Sequence, residues 1–189
     1  MSIDDIDAVD FELYLLDSMK PPVDLLSQTL KRLGQTKGEM EERCGKVSQI
    51  MRQFANAADS FRSILRENLL AEWSRIQQGI YLYHLPLWWE FAFELSLDSS
   101  GRYIENMRFQ KHPARGLAGE SVAPWKFLEV DLAASFDQIR EGDSWGHYKS
   151  YLARDRKSDK WHFLRFGWGL LQEVKELTPG EMWRNGLLS

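Results

Sequence analysis

The chain has 189 residues, of which 43% are hydrophobic and 13% aromatic, with eight Trp and a single Cys. That is apolar material for a substantial packed core, which excludes a disordered chain, and one cysteine excludes an intrachain disulfide. A formal net charge of −4 supplies no global field to attract nucleic acid or an anionic membrane surface.

Residues 1–21 are an acidic segment in which Asp4, Asp5, Asp7, Asp10, Glu12 and Asp17 surround Phe11, Leu13, Tyr14, Leu15 and Leu16, ending at Pro21-Pro22. It lacks the basic start and apolar run of a secretory signal. It reads as a first helix docked on the body; a peptide that folds onto a partner is the alternative.

Residues 22–84 read as a helical region. Pro22 suits a helix first turn, and Leu25, Leu26, Leu30 and Leu33 mark a helix of about twelve residues, after which Gly34 and Gly38 bracket a turn. Then Met40, Cys44, Val47, Met51, Phe54, Ala58, Phe61 and Leu65 follow at alternating four- and three-residue steps. This spacing predicts a helix of roughly 40 residues, roughly 60 Å long. Ile50, Ala57 and Ile64 widen the coiled-coil-like stripe where a simple two-stranded coil would carry charge. Leu69, Trp73, Ile76 and Ile80 extend it, with a stutter at Leu69. The preceding helix, about 18 Å long, covers only part of such a partner. Val47, Met51, Phe54, Ala58, Phe61 and Leu65 are therefore the expected interface with another protein or a second copy. Cys44, on the stripe, reads as a small core residue rather than a nucleophile.

Residues 85–189 read as an α+β domain. After Pro86 the period becomes two: Leu87, Trp89, Phe91, Phe93, Leu95 and Leu97 alternate with Trp88, Glu90, Ala92, Glu94, Ser96 and Asp98. Turn chemistry at Asp98-Ser99-Ser100-Gly101 predicts a hairpin returning through Tyr103, Ile104, Met107 and Phe109. Residues 112–124, with two Pro, two Gly and little periodicity, read as a loop. A third strand is expected over 125–132, running into a short helix with Leu132, Phe136 and Ile139 on one face and Gly142 at its end. Strands are expected over 144–152 and 160–168 around the charged turn at 154–159, although both segments also keep helical spacing. A last helix carries Leu170, Leu171, Val174 and Leu177 and stops at Pro179. The expected fold is thus α+β: an N-terminal helical hairpin with one long helix, followed by a small antiparallel sheet with two short helices.

Chemistry-bearing patterns are sparse. None of His84, His112, His147 and His162 lies three or four residues from another His or from Cys44, as a local metal site requires. No phosphate-binding glycine loop or nucleophile elbow is present, and no cofactor is expected. Glu90 and Glu94 share a strand face, where pairing with Arg102 or Arg108 accounts for them better than metal binding does. Glu129 and Asp131 lack the lysine that a metal-dependent nuclease strand would add two residues on. Arg154, Arg156, Lys157, Lys160 and Arg165, near Tyr148, Tyr151 and Trp161, form a basic-aromatic cluster of the kind that holds single-stranded nucleic acid, interrupted by Asp155 and Asp159. Trp88, Trp89, Phe91 and Trp125 are candidates to line a pocket between the long helix and the sheet.

The sequence therefore points to a non-catalytic protein-interaction or assembly subunit. A nucleic-acid-binding module, and a small-ligand binder or enzyme, are the alternatives. No run reaches the about 18 continuous apolar residues of a membrane span, and the expected location is the cytoplasm, soluble.

Overall fold

Three helices, α1 (Ala8–Ser18), α2 (Val23–Leu33) and α3 (Lys37–Gln53), open the computed structural model, which describes residues 6–53, 73–77, 79–112 and 122–187. Two antiparallel sheets follow, each with its strands in chain order. The first holds β1 (Trp73–Gln77), β2 (Ile80–His84), β3 (Phe91–Leu97) and β4 (Ile104–Lys111). The second holds β5 (Phe136–Trp145), β6 (Tyr148–Asp155), β7 (Trp161–Gly167) and β8 (Leu170–Glu176). A 3₁₀ turn at Glu129–Asp131 and the one-turn helix α4 (Leu132–Ser135) precede β5, and α5 (Pro179–Arg184) follows β8. The chain divides into a unit of Met1–Arg108 with His112–Arg115, and a second of Phe109–Lys111 with Gly116–Ser189.

In the first unit the acidic segment is a docked helix, as its pattern predicts. Asp7 caps α1 by accepting the Asp10 N–H at 2.9 Å, and the Asp10 carboxylate accepts the Asp7 N–H at 2.8 Å in return. One side of α1 sends Leu13 against Leu30 of α2 and Met40 and Cys44 of α3. Another sends Phe11 edge-on to Phe93, with ring centroids 5.6 Å apart. Burial pushes the Asp10 carboxyl above the usual carboxylate range, and Arg43, 2.9 Å away, opposes the shift. Gly34 ends α2 at φ 65°, in the left-handed region that glycine enters without strain, and its N–H reaches back to Leu30 O.

The stripe on α3 is covered from within, since Met40, Cys44, Val47 and Ile50 are all buried. The helix is described over 17 residues, and Phe54, Ala58, Phe61, Leu65 and Leu69 lie outside the described residues. Trp73, Ile76 and Ile80 correct the helical reading, because they lie in β1 and β2. Gly79, at φ 79°, turns the chain there, and Ile80-Tyr81-Leu82-Tyr83 pairs residue by residue with β3. β-branched and aromatic residues with a strand to pair with form sheet whatever their helical spacing.

β3 begins at Phe91, four residues later than the alternation implies. Pro86 to Glu90 form a turn held by the Leu87 N–H, which donates to the Glu12 carboxylate at 2.7 Å. The predicted hairpin is present: Asp98 Oδ1 accepts the Arg102 and Tyr103 N–H groups, each at 3.1 Å, and Glu94 pairs with Arg108 at 3.0 Å.

The second unit is built on Phe127, Leu132, Phe136, Tyr151, Ala153, Leu164, Phe166 and Leu171. The strands expected at 144–152 and 160–168 are β6 and β7. Three other expectations are corrected. Residues 125–132 are a turn, one bridge from Leu128 to Leu170 and the 3₁₀ turn, because Trp125 takes φ 65° and breaks the extended path. The helix expected through Ile139 stops at Ser135, and Phe136 starts β5, whose two register shifts and positive φ at Gln138 absorb the lost alternation. The expected last helix is β8, where a register shift beside Phe166 lets the adjacent Leu170 and Leu171 both be buried. Pro179 starts α5 instead of stopping a helix, next to the Thr178–Glu181 capping box.

Candidate functional site

Side chains alternate across a sheet, so the core residues Tyr151, Ala153, Leu164 and Phe166 fix what the opposite face of the second sheet presents. There Leu152 stands opposite Phe163, Phe163 opposite Lys175, and Ser150 opposite Arg165, which faces Glu173. Leu152 and Phe163 are half-buried. Gly142 and Asp143 of β5 close one end and Leu177, Glu181 and Asn185 the other, enclosing an open groove of about 480 Å³. Trp145 is opposite Tyr148 at the hairpin end of the same face and is 81% exposed.

Local chemistry holds this shape. A Cβ at Gly142 would come 2.7 Å from Ser150 Oγ and displace that hydroxyl, which donates to Asp143 O at 3.2 Å. Lys175 donates to Glu181 and ties α5 to β8; this hydrogen bond, with those from Thr178, holds the Glu181 carboxyl down at about 2. Arg165 pairs with Glu173 at 3.1 Å. The Asp143 carboxylate has no partner among the described residues.

The predicted nucleic-acid residues are not gathered into a free basic surface. Arg154 pairs with Asp137 at 2.9 Å and Asp159 at 3.2 Å, Lys160 with Glu176 at 2.9 Å, and Arg165 with Glu173. Arg156 donates to the carbonyls of Phe136 and Ala133. Lys157 is an exposed turn residue. Of the predicted interface, Val47 is fully buried and Met51 half-buried, while Phe54, Ala58, Phe61 and Leu65 fall outside the described residues.

The predicted pocket residues separate. Phe91 is core, Trp89 is exposed, and Trp125 belongs to the second unit. Trp88 lines a first-unit hollow of about 360 Å³ with Leu16, Leu25, Gln28, Thr29, Arg32 and Leu87.

Several ionisable groups elsewhere are committed to structure. Burial pushes the Cys44 thiol up to about 12, so it stays protonated. Glu129 accepts from Tyr151 Oη at 2.5 Å and pairs with Lys149 at 2.9 Å, and Asp131 pairs with Lys111 at 3.0 Å. Burial and the Glu129 contact raise the Tyr151 hydroxyl. Among the described residues no three His, Cys, Asp or Glu side chains group closely enough to hold a metal ion. No described helix is long and apolar enough to cross a membrane.

His147 lies flat on Trp168, with ring centroids 3.9 Å apart and planes 6° apart, and burial lowers its pKa to about 4. The unfolded chain takes up this proton near the ordinary value of about 6.5. Stability from the neutral ring is therefore complete above about pH 6.5 and is lost as pH falls towards the folded value. Between about pH 7 and about pH 5 the loss should be about 1–2 kcal/mol, reduced from full linkage because the ring is half-buried. Urea unfolding at both pH values measures it, and His147→Phe, which keeps the stack and removes the proton site, should flatten the difference. An equal pH dependence in that variant would place its origin elsewhere.

The groove residues Leu152, Phe163, Lys175 and Glu181 were not singled out by sequence spacing. The available signal is that β6 and β7 place Leu152 and Phe163 among polar residues on the face turned away from the core, which a sheet covered on one side does not require. Comparison of the chain with protein-family models, curated proteins and solved structures gave no match.

Proposed function

We propose that this chain is a non-catalytic protein-interaction subunit that docks a partner on the outward face of its second sheet. The observation that carries the reading is the open groove floored by Leu152 and Phe163. A solvated sheet face is ordinarily polar, and an apolar pair at its centre, with an exposed Trp on the same face, has the composition of a contact hot spot. Support also comes from the ionisable groups, since the thiol is protonated in the core and the paired carboxylates hold lysines and a tyrosine.

Leu152→Glu and Phe163→Glu test the reading, because both side chains point away from the core and tolerate charge without unfolding the unit. Affinity capture with the wild-type chain and with each variant, quantified by mass spectrometry, should show one set of proteins lost at least tenfold from both variants. A capture set unchanged by either substitution, with both variants folded by circular dichroism, overturns the proposal.

A further inference from the structure

On that reading of the second sheet's outward face, we infer that residues 178–187 form an autoinhibitory strap, which a partner displaces to reach the whole of the docking face. Two anchors place the segment. Lys175 of β8 stands opposite Phe163 and donates to Glu181 of α5. Arg140 of β5 stands opposite Leu152 and donates through Nη1 to Gly186 O at 3.4 Å. Leu152 and Phe163 face outward, so both anchors do too, and the segment crosses that face from one edge strand of the sheet to the other.

The strap closes off Trp161. Alternation along β7 from the core residue Leu164 turns Phe163 and Trp161 outward, yet Trp161 is only 7% exposed. The Arg140 guanidinium lies over its ring, 5.7 Å from the centroid, so the side chain that holds Gly186 also covers the indole. Buried Leu177, whose N–H donates to Trp161 O at 2.8 Å, is the fixed point from which the strap leaves the sheet. With the strap released, Trp161 joins Phe163 and Leu152 in one apolar strip, and Trp is the kind of residue that anchors a contact hot spot.

The segment is held lightly. No residue of α5 is buried, and Met182 and Leu187 are half-buried. So short a helix has no stability of its own. Among the described residues two hydrogen bonds tie the segment to the sheet, both solvent-exposed. Elements with few buried apolar contacts and exposed hydrogen bonds open locally at low cost. The Thr178–Glu181 capping box and the turn at Gly186 keep the strap's own shape and do not fix its place on the sheet.

Lys175→Ala and Arg140→Ala in the full chain test this by hydroxyl-radical footprinting and by affinity capture. Lys175→Ala leaves Arg140 over the ring, so a rise at Trp161 in that variant reports release of the strap and not loss of the guanidinium. Trp161 reactivity should rise about twofold or more in Lys175→Ala and further in Arg140→Ala. Trp168, buried in the same unit, should stay protected and show that the unit is folded. Proteins whose capture Leu152→Glu abolishes should be recovered about threefold more from both variants than from the wild-type chain. Loss of a direct contact to the partner would act in the opposite direction. Both positions are on the surface, and Arg140→Ala carries the capture comparison if Lys175→Ala unfolds. Unchanged Trp161 reactivity in Lys175→Ala, or capture that depends on Leu152 without rising in the variants, overturns the strap while the docking face stands. Capture indifferent to Leu152→Glu, or none from any of these chains, overturns both.

Discussion

Glu12→Ala should destabilise the first unit by about 3 kcal/mol, a large fraction of what a domain of this size has to lose. Glu12 is a fully buried carboxylate on α1. It accepts the Tyr83 hydroxyl at 3.0 Å and the Leu87 N–H at 2.7 Å, so one side chain joins α1 to β2 and to the turn before β3. Truncation takes this acceptor from two donors around a fully buried side chain, and each such loss costs about 1–3 kcal/mol. Glu12→Gln keeps the volume and one oxygen and exchanges the second acceptor for a donor, so its cost should be about 1–2 kcal/mol. Urea unfolding followed by tryptophan fluorescence reads both, with Trp88 and Trp89 reporting on the turn. A loss under about 1 kcal/mol for Glu12→Ala would show that Tyr83 and Leu87 find other acceptors.

Phe136→Ala should cost the second unit about 3–5 kcal/mol, the range for emptying a closely packed aromatic site. Phe136 is 1% exposed and stands where α4 gives way to β5, edge-on to Phe127 with ring centroids 6.2 Å apart and next to His162 at 6.0 Å. Its carbonyl accepts from Arg156 Nε at 3.0 Å, which fixes the backbone on both sides of the ring and limits collapse into the space left behind. For a unit of this size the melting temperature should fall by more than about 10 °C. Phe136→Leu, which retains most of the apolar volume, should lose less than half as much. Equal losses in the two variants would mean that the ring's shape, not its volume, holds the site.

Local chemistry made the first three helices and both central hairpins readable. Pro22, Gly34 and the Asp98-Ser99-Ser100-Gly101 turn each act within a few residues, and the structure keeps all three. Longer-range pairing decided what the sequence hid. Trp73, Ile76 and Ile80 keep helical spacing, yet Ile80 pairs with Ser96 across the sheet. Leu170, Leu171 and Val174 suit a helix and a bulged strand equally well, and β7 selects the strand. The stripe on α3 was legible as a buried face, but what covers it was not: α1 lies on Met40 and Cys44, and nothing in the spacing of Leu13 announces that contact. The groove was hidden for a related reason. Leu152 and Phe163 become one surface only when β6 and β7 are in register, and Lys175 and Glu181 join it only once Pro179 begins α5.

Hydroxyl-radical footprinting of the chain, alone and in the complex captured with it, tests the docking face most directly. Trp145, Leu152 and Phe163 should lose reactivity together in the complex, while the exposed Trp89 of the first unit keeps its own. Unchanged reactivity at Leu152 and Phe163, with protection confined to Trp88, Trp89 and Val23, would contradict it and move the interface to the first unit.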